Sequence, residues 1–268
     1  MRIHEQYHDL EVLRTLRYTL IDRDHTARTC ETPILNEHII DVYLNDRLTM
    51  KLVCLPQHLT ELVLGRLRTE NVIHSIEDVD MIYICEYGKR ARVYLTKAAS
   101  ETEGPFVETT PTCCTGNRIL NDYFVDHSDP MPIPQFAWHT DWVFDLADRF
   151  ASGMPLHSVT WATHSCFLSR GGELLFSCED IGRHNALDKA IGYALRNDIP
   201  LGECIVYSSG RIPTDMVMKA LRAGIPVLAS KAAPTEQAIL LAREYGLTLV
   251  CSARRDSMRQ YTGTPPVD

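Results

Sequence analysis

The C-terminal half of the chain alternates two hydrophobic periods, and that alternation restricts the fold more than any other feature. "ELLFSC" (173–178), "ECIVYS" (203–208), "IPVLAS" (225–230) and "LTLVCS" (247–252) are short apolar runs rich in Val, Ile and Leu, as expected of strands buried on both faces. Between them the spacing changes to three and four. Leu187, Ala190, Ile191, Ala194 and Leu195 form one such stripe, with Asp188, Lys189 and Arg196 on the other side of the helix. A second helical pattern runs from about Thr214 to Ala223 and stops at Gly224, and a third runs from about Pro234 to Gly246. Glycine stands each time where a helix end turns left-handed. Strands alternating with helices specify an α/β domain, a largely parallel sheet covered by helices. "THSCFLS" before the turn "RGG" adds a hairpin in front of it.

The N-terminal half reads as a smaller α+β domain. "HIIDVYLN" and "LTMKLVCL" flank a hairpin turn, "HLTELVLGRLRTE" has helical spacing, and "VDMIYICEY" with "KRARVYLT" reads as a second strand pair. The stretch 100–140 is proline-rich without a sustained period, the mark of a long functional loop or linker. The chain divides accordingly into an N-terminal domain, 1–115, ending in a cysteine-bearing loop, and an α/β domain, 116–268.

Composition narrows the class. At 45% hydrophobic and 23% charged, the 268 residues are ordinary for a globular protein. A net charge of −8 argues against holding duplex nucleic acid, whose affinity rests on many cationic contacts to phosphate. No apolar run is long enough for a membrane span, and the N-terminus is too charged for a signal peptide, so a cytoplasmic protein without a membrane partner is expected. Nine cysteines show no disulfide framework. Cys85, Cys178, Cys204 and Cys251 lie in strand-like runs and read as small buried hydrophobes in a reducing compartment.

In a parallel α/β sheet, ligands sit outside the carboxyl ends of the strands, and three polar loops occupy that edge. "EDIGRHN" gathers Glu179, Asp180, Arg183, His184 and Asn185; "SSGRIPTD" brings Ser209, Gly210 and Arg211; "KAAPTE" begins at Lys231. Cationic side chains beside helix starts suit an anion, so a phosphate-bearing ligand is expected. Each residue also has a plain structural role open to it: Asp180 or Asn185 as a helix cap, Arg183 as the ion-pair partner of Glu179, Lys231 as a solvated cation. "SSGR" matches neither the dinucleotide fingerprint nor the nucleotide P-loop. "TCCTGN" (112–117) sets Cys113 and Cys114 side by side in a loop of Ser, Thr and Pro, where a thiolate would be a nucleophile. His164 with Cys166 in "TWATHSCFL" offers metal ligands, yet a strand histidine reads better as a core or lining residue, and no metal site is assigned. The His-x-Glu and Pro-Cys-x-x-Cys motifs of zinc nucleoside deaminases are missing.

"EDIGRHNALDKAIG", "SGRIPTDMVMKA" and "AGIPVLASKAAPTEQAILLA" together resemble the C-terminal signature of the formate dehydrogenase accessory sulfurtransferases, the FdhD family. "VYLNDRLTMKLVCLPQHLTELVLGRLRTENVI" and "TWATHSCFL" are similar to its N-terminal strand-turn-strand-helix and its Thr-Gly-Gly-x-His element, so the order of motifs is the family's from about 36 to 261. The resemblance implies a cytidine deaminase-like fold and a homodimer. It implies a sulfurtransferase that takes sulfur from a cysteine desulfurase as a loop-cysteine persulfide and passes it to the molybdenum or tungsten bis-guanine-dinucleotide cofactor of formate dehydrogenase. On this resemblance Cys114, or failing it Cys113, carries sulfur. Glu179, Asp180, Arg183, His184, Asn185, Ser209, Gly210, Arg211, Lys231 and His164 would hold the molybdenum cofactor, bound as substrate, or a GDP-like nucleotide. The chain departs from the family in two places: its two loop cysteines are adjacent, and Trp161 and Ala162 stand where that element has glycines. A non-catalytic carrier of the same cofactor is the alternative reading; it would need the phosphate-binding loops and neither thiol.

Overall fold

The computed structural model describes residues 1–96, 118–119 and 128–268. Its first half is built around a tight hairpin, β4 (His38–Leu44) and β5 (Arg47–Cys54), turning at Asn45 and Asp46. Both turn residues lie in the left-handed region, φ 47° and 65°, which short polar side chains tolerate and which matches the twist of the flanking strands. Alternation along β4 buries Ile40, Val42 and Leu44 and turns Ile39 outward. β6 (Val79–Ile84) and β7 (Arg90–Leu95) form the second expected pair, and β7 joins β4 in parallel. With β1 (Arg2–Glu5) and β8 (Arg118–Ile119) they complete a six-stranded sheet, β1-β6-β7-β4-β5-β8. β2 (Leu13–Ile21) and β3 (Ala27–Leu35) make a separate two-stranded ribbon, which the sequence reading did not anticipate because most of its residues face solvent.

The second half holds the expected α/β unit. Its sheet runs β10 (Glu173–Asp180), β9 (His164–Arg170), β11 (Cys204–Ser208), β12 (Val227–Ser230), β13 (Thr248–Cys251) and β14 (Arg259–Thr262). β9 and β10 form the hairpin, turning at Gly171 and Gly172, whose φ values of 56° and 83° need glycine's freedom. β11, β12 and β13 are parallel, and β9 runs antiparallel to both β10 and β11. The carboxyl ends of β10, β11, β12 and β13 therefore share one edge with the start of β9. α4 (Arg183–Arg196), α5 (Thr214–Ala223) and α6 (Glu236–Glu244) follow β10, β11 and β12 and cover one face. α2 (Thr140–Ala151) covers the other, packing Val143 and Leu146 near Phe167, Tyr207 and Val250; the short α3 (Pro155–Thr160) follows it. No helix among the described residues is long and apolar enough to cross a membrane.

The two sheets meet through a helix seam. α1 (Leu59–Thr69) packs Leu62 and Leu67 on the N-terminal sheet, while α4 packs Leu187 and Ile191 on the C-terminal one. Gly65 and Gly192 let the two backbones touch: a Cβ on Gly65 would lie 1.8 Å from the Asp188 carbonyl oxygen, and one on Gly192 1.8 Å from that of Glu61. The polar side of α4 is thus buried rather than solvated. Asp188 and Lys189 are both 0% exposed. Asp188 binds Lys219 Nζ at 2.7 Å and accepts from Thr69 Oγ1 at 2.9 Å. Arg66 bonds Glu70 at 2.7 Å, and Arg196 reaches both Glu61 and Glu5.

Candidate functional site

Strand pairing sets the first residues of the site. His164 opens β9 opposite Asp180, the last residue of β10, and Cys166 lies opposite Ser208 at the end of β11. One residue on, Ser209 Oγ accepts from Ser165 N at 2.9 Å and lies 3.3 Å from His164 Nδ1. α4 then starts beside them. Its N-cap is Gly182, and no side chain caps the helix end, where the first N–H groups lack intrahelical acceptors and carry the positive end of the helix dipole.

Arg183, the first residue of α4, lies across Gly210. A Cβ at Gly210 would approach the Arg183 Cβ and Cδ to 2.8 Å, so only glycine leaves room for the arginine stem. Arg183 is 8% exposed, and among the described residues its buried Nε has no hydrogen-bond partner and no carboxylate forms an ion pair with it. A buried cation without a counter-charge is costly, and an anionic ligand would remove that cost. His164 is half-buried, and burial first, then the charge of Arg183, holds its imidazole below the usual histidine pKa. At neutral pH the edge therefore presents a guanidinium, a helix N-terminus and a neutral imidazole, which together suit a phosphate group carried on a polar molecule.

The other residues of the same motif point into the protein. Asp180, 0% exposed, binds Lys189 Nζ at 2.6 Å and accepts from Leu55 N at 3.1 Å, Gly182 N at 3.2 Å and Asn185 Nδ2 at 2.8 Å. Burial, the largest influence on Lys189, would push it down, but Asp180 together with the nearby Cys54 and Cys178 outweighs it, and the ammonium is held above its usual pKa. Asn185 also donates to Val53 O at 2.7 Å. Glu179 clamps α3, accepting from Leu156 N, His157 N and Thr163 Oγ1 at 2.7–2.8 Å. His184 is 3% exposed, with its Nε2 donating to Asp215 at 2.8 Å between α4 and α5. Arg211 is exposed in the loop after Gly210. Lys231 places its ammonium 4.8 Å from the Phe150 ring centroid, on the α2 side of the sheet, away from Arg183. The structure thus gathers His164, Arg183, Ser209 and Gly210, with Arg211 at the rim. It assigns Glu179, Asp180, Asn185 and His184 internal partners.

Sequence reasoning missed Lys189 and Thr163, which hold this edge in place. Neither carried a usable signal, since a lysine on the polar side of a helix stripe reads as solvated. Cys113 and Cys114 lie outside the described residues. Among the described cysteines, burial pushes the thiols of Cys54 and Cys166 well up, Cys178 and Cys251 to about 12, and Cys204 to about 11, so none of these five is a ready thiolate. Cys30 and Cys85 are partly exposed.

Comparison with known proteins gives the family and the fold. Residues 35–267 match the model of the FdhD/NarQ family. The chain is 31% identical to the sulfur carrier protein FdhD of Listeria innocua, covering 89% of this chain and 92% of that one. It is 33% identical to that of Bacillus pumilus, over 87% and 90%, and 30% identical to that of Sulfolobus acidocaldarius, over 92% and 95%. Its fold superposes with a TM-score of 0.75 on a crystal structure from Desulfotalea psychrophila described as a formate dehydrogenase accessory protein, at 24% identity and covering 94% and 98% of the two chains.

Proposed function

Because the chain belongs to the FdhD/NarQ family, we propose that it is a sulfur carrier of formate dehydrogenase maturation. In this reading it receives sulfur as a persulfide on Cys114, or on the neighbouring Cys113, and passes it to the molybdenum or tungsten bis-guanine-dinucleotide cofactor. The observation that carries the reading is Arg183: a buried arginine without a counter-charge among the described residues, lying across a required glycine at an uncapped helix start. Such a site fits a phosphate of the dinucleotide, with His164 and Ser209 beside it and the exposed Arg211 following Gly210.

The loading step needs only the loop thiolate. It attacks the outer sulfur of a persulfide on a cysteine desulfurase; the S–S bond there breaks, the new persulfide forms on Cys114, and the desulfurase cysteine leaves as thiolate. The high thiol pKa values of the five buried cysteines support a carrier elsewhere in the chain. We place the reaction in the cytoplasm, with the protein working as a homodimer.

The test is mass spectrometry after incubation with a desulfurase and free cysteine. One added sulfur atom on the peptide holding Cys113 and Cys114, lost in the double Ala variant together with formate dehydrogenase maturation, is the expected result. Sulfur found instead on Cys30 or Cys85 would move the carrier. Maturation that survives without either loop cysteine would leave a cofactor carrier with no thiol chemistry.

A further inference from the structure

Trp161 is 79% exposed, although it is the largest kind of apolar side chain and sits three residues before His164. Its backbone is in the left-handed region, φ 55° and ψ 17°, a conformation that bulky side chains avoid. A costly backbone and an exposed indole in the same residue point to a role outside the folded core.

The surrounding loop is built to hold that ring still. The Glu179 carboxylate takes up the N–H groups of Leu156 and His157 and the Thr163 hydroxyl. His157 Nδ1 donates to Thr163 O at 3.0 Å, Thr160 Oγ1 donates to Leu156 O at 2.7 Å, and Trp161 N donates to His157 O at 2.8 Å. The His157 ring meets the indole edge-on, centroids 5.6 Å apart. Thr163 precedes His164, whose Nδ1 lies 3.3 Å from Ser209 Oγ, and the next residue, Gly210, meets the Arg183 stem. Contacts therefore link the cation Arg183, His164, His157 and the exposed Trp161 at one edge of the sheet.

We propose that Trp161 is the stacking platform for the purine base of the nucleotide whose phosphate Arg183 binds; this rests on the nucleotide reading of the site given above. Three residues separate Trp161 from His164 and can span at most about 10 Å, comparable with the reach from a diphosphate to its base. An indole suits a base face because stacking asks for a flat π surface rather than a hydrogen-bond pattern. A platform already fixed by Glu179 loses little freedom on binding.

The experiment compares GDP with pyrophosphate, which has the phosphates and no base, on four forms of the full chain: unsubstituted, Trp161→Gly, Trp161→Phe and Arg183→Ala. Glycine is the residue best suited to the left-handed position, so Trp161→Gly keeps the fold. The expected result is that Trp161→Gly weakens GDP about tenfold and leaves pyrophosphate unchanged, while Trp161→Phe retains GDP affinity. GDP, but not pyrophosphate, should quench the indole emission of the unsubstituted chain. If Trp161→Gly binds GDP as tightly as the unsubstituted chain while Arg183→Ala loses both ligands, the stacking role falls and the phosphate pocket stands. Equal weakening of both ligands by Trp161→Gly would also overturn it. An unsubstituted chain that binds neither ligand would remove the nucleotide reading itself.

Discussion

The α1–α4 seam and the pocket at the ends of β9, β10 and β11 both bury charge, and they treat it in opposite ways. In and around the seam, Lys189 has Asp180, Lys219 has Asp188, Arg66 has Glu70, and Arg196 has Glu61 and Glu5. In the site, three residues after Asp180, Arg183 is nearly as buried and has no carboxylate partner among the described residues. The difference separates scaffold from site within one stretch, 179–185. A paired buried charge makes the fold depend on both partners; an unpaired one leaves the fold waiting for a ligand.

The strongest way to break the comparison is to remove a paired charge. Asp180→Ala leaves Lys189 buried at 0% exposure without its counter-ion and removes the acceptor of Leu55 N and Gly182 N and one of the two acceptors of Asn185 Nδ2. Breaking a buried pair on one side costs about 3–5 kcal/mol, so chemical denaturation should show a loss of that size. A loss under about 1 kcal/mol would mean that the pair is replaceable by water and that the seam is no different from the pocket.

Removing the unpaired charge should do the reverse. Arg183→Met keeps the stem that packs on Gly210 and deletes a guanidinium with no counter-charge among the described residues. Charge-assisted contacts to phosphate are worth about 1.5–3 kcal/mol each, so GDP affinity should fall roughly ten- to a hundredfold while Tm stays level or rises. A drop in Tm with affinity unaltered would place Arg183 among the scaffold charges and move the phosphate site.

How far this contrast can be read from sequence depends on where each partner lies along the chain. The α/β half was legible because its strands are buried on both faces and each helix carries its stripe within a dozen residues. The seam was not. Gly65 and Gly192 sit inside helical patterns, where glycine reads only as a weakness, and the contact that requires them joins residues 61 and 192, 65 and 188. The motif "EDIGRHN" was recognisable as a place of unusual polar density, yet Asp180 and Asn185 find Leu55 and Val53 at separations of 125 and 132 residues. Nothing local distinguishes these paired residues from Arg183. The ribbon β2–β3 was missed for the opposite reason: its exposed strands lack a buried face to impose alternation.

His164 lies on the boundary between the two regions and gives the smallest and most discriminating effect. Burial and then Arg183 lower its pKa, so without a bound anion the site prefers the neutral imidazole. With the folded pKa below the unfolded value of about 6.5, the stability linked to this residue is full above that pH and is lost as pH falls through the folded pKa. An anion held by Arg183 reverses the preference, because it neutralises the charge that opposed protonation and attracts the imidazolium. Ligand binding should then raise the His164 pKa, take up a fraction of a proton near and below about pH 6.5, and tighten modestly as the pH drops through that window. Following the His164 ring signal by NMR with and without GDP measures the shift directly, and His164→Gln should remove the part of the pH dependence that the phosphate's own titration does not explain. The Arg183→Met chain sharpens the assignment: its His164 should titrate closer to the ordinary value and respond less to GDP. A ring signal that titrates identically in the free and liganded protein would mean that the anion sits beyond its reach, and that the unpaired guanidinium faces something other than the phosphate next to β9.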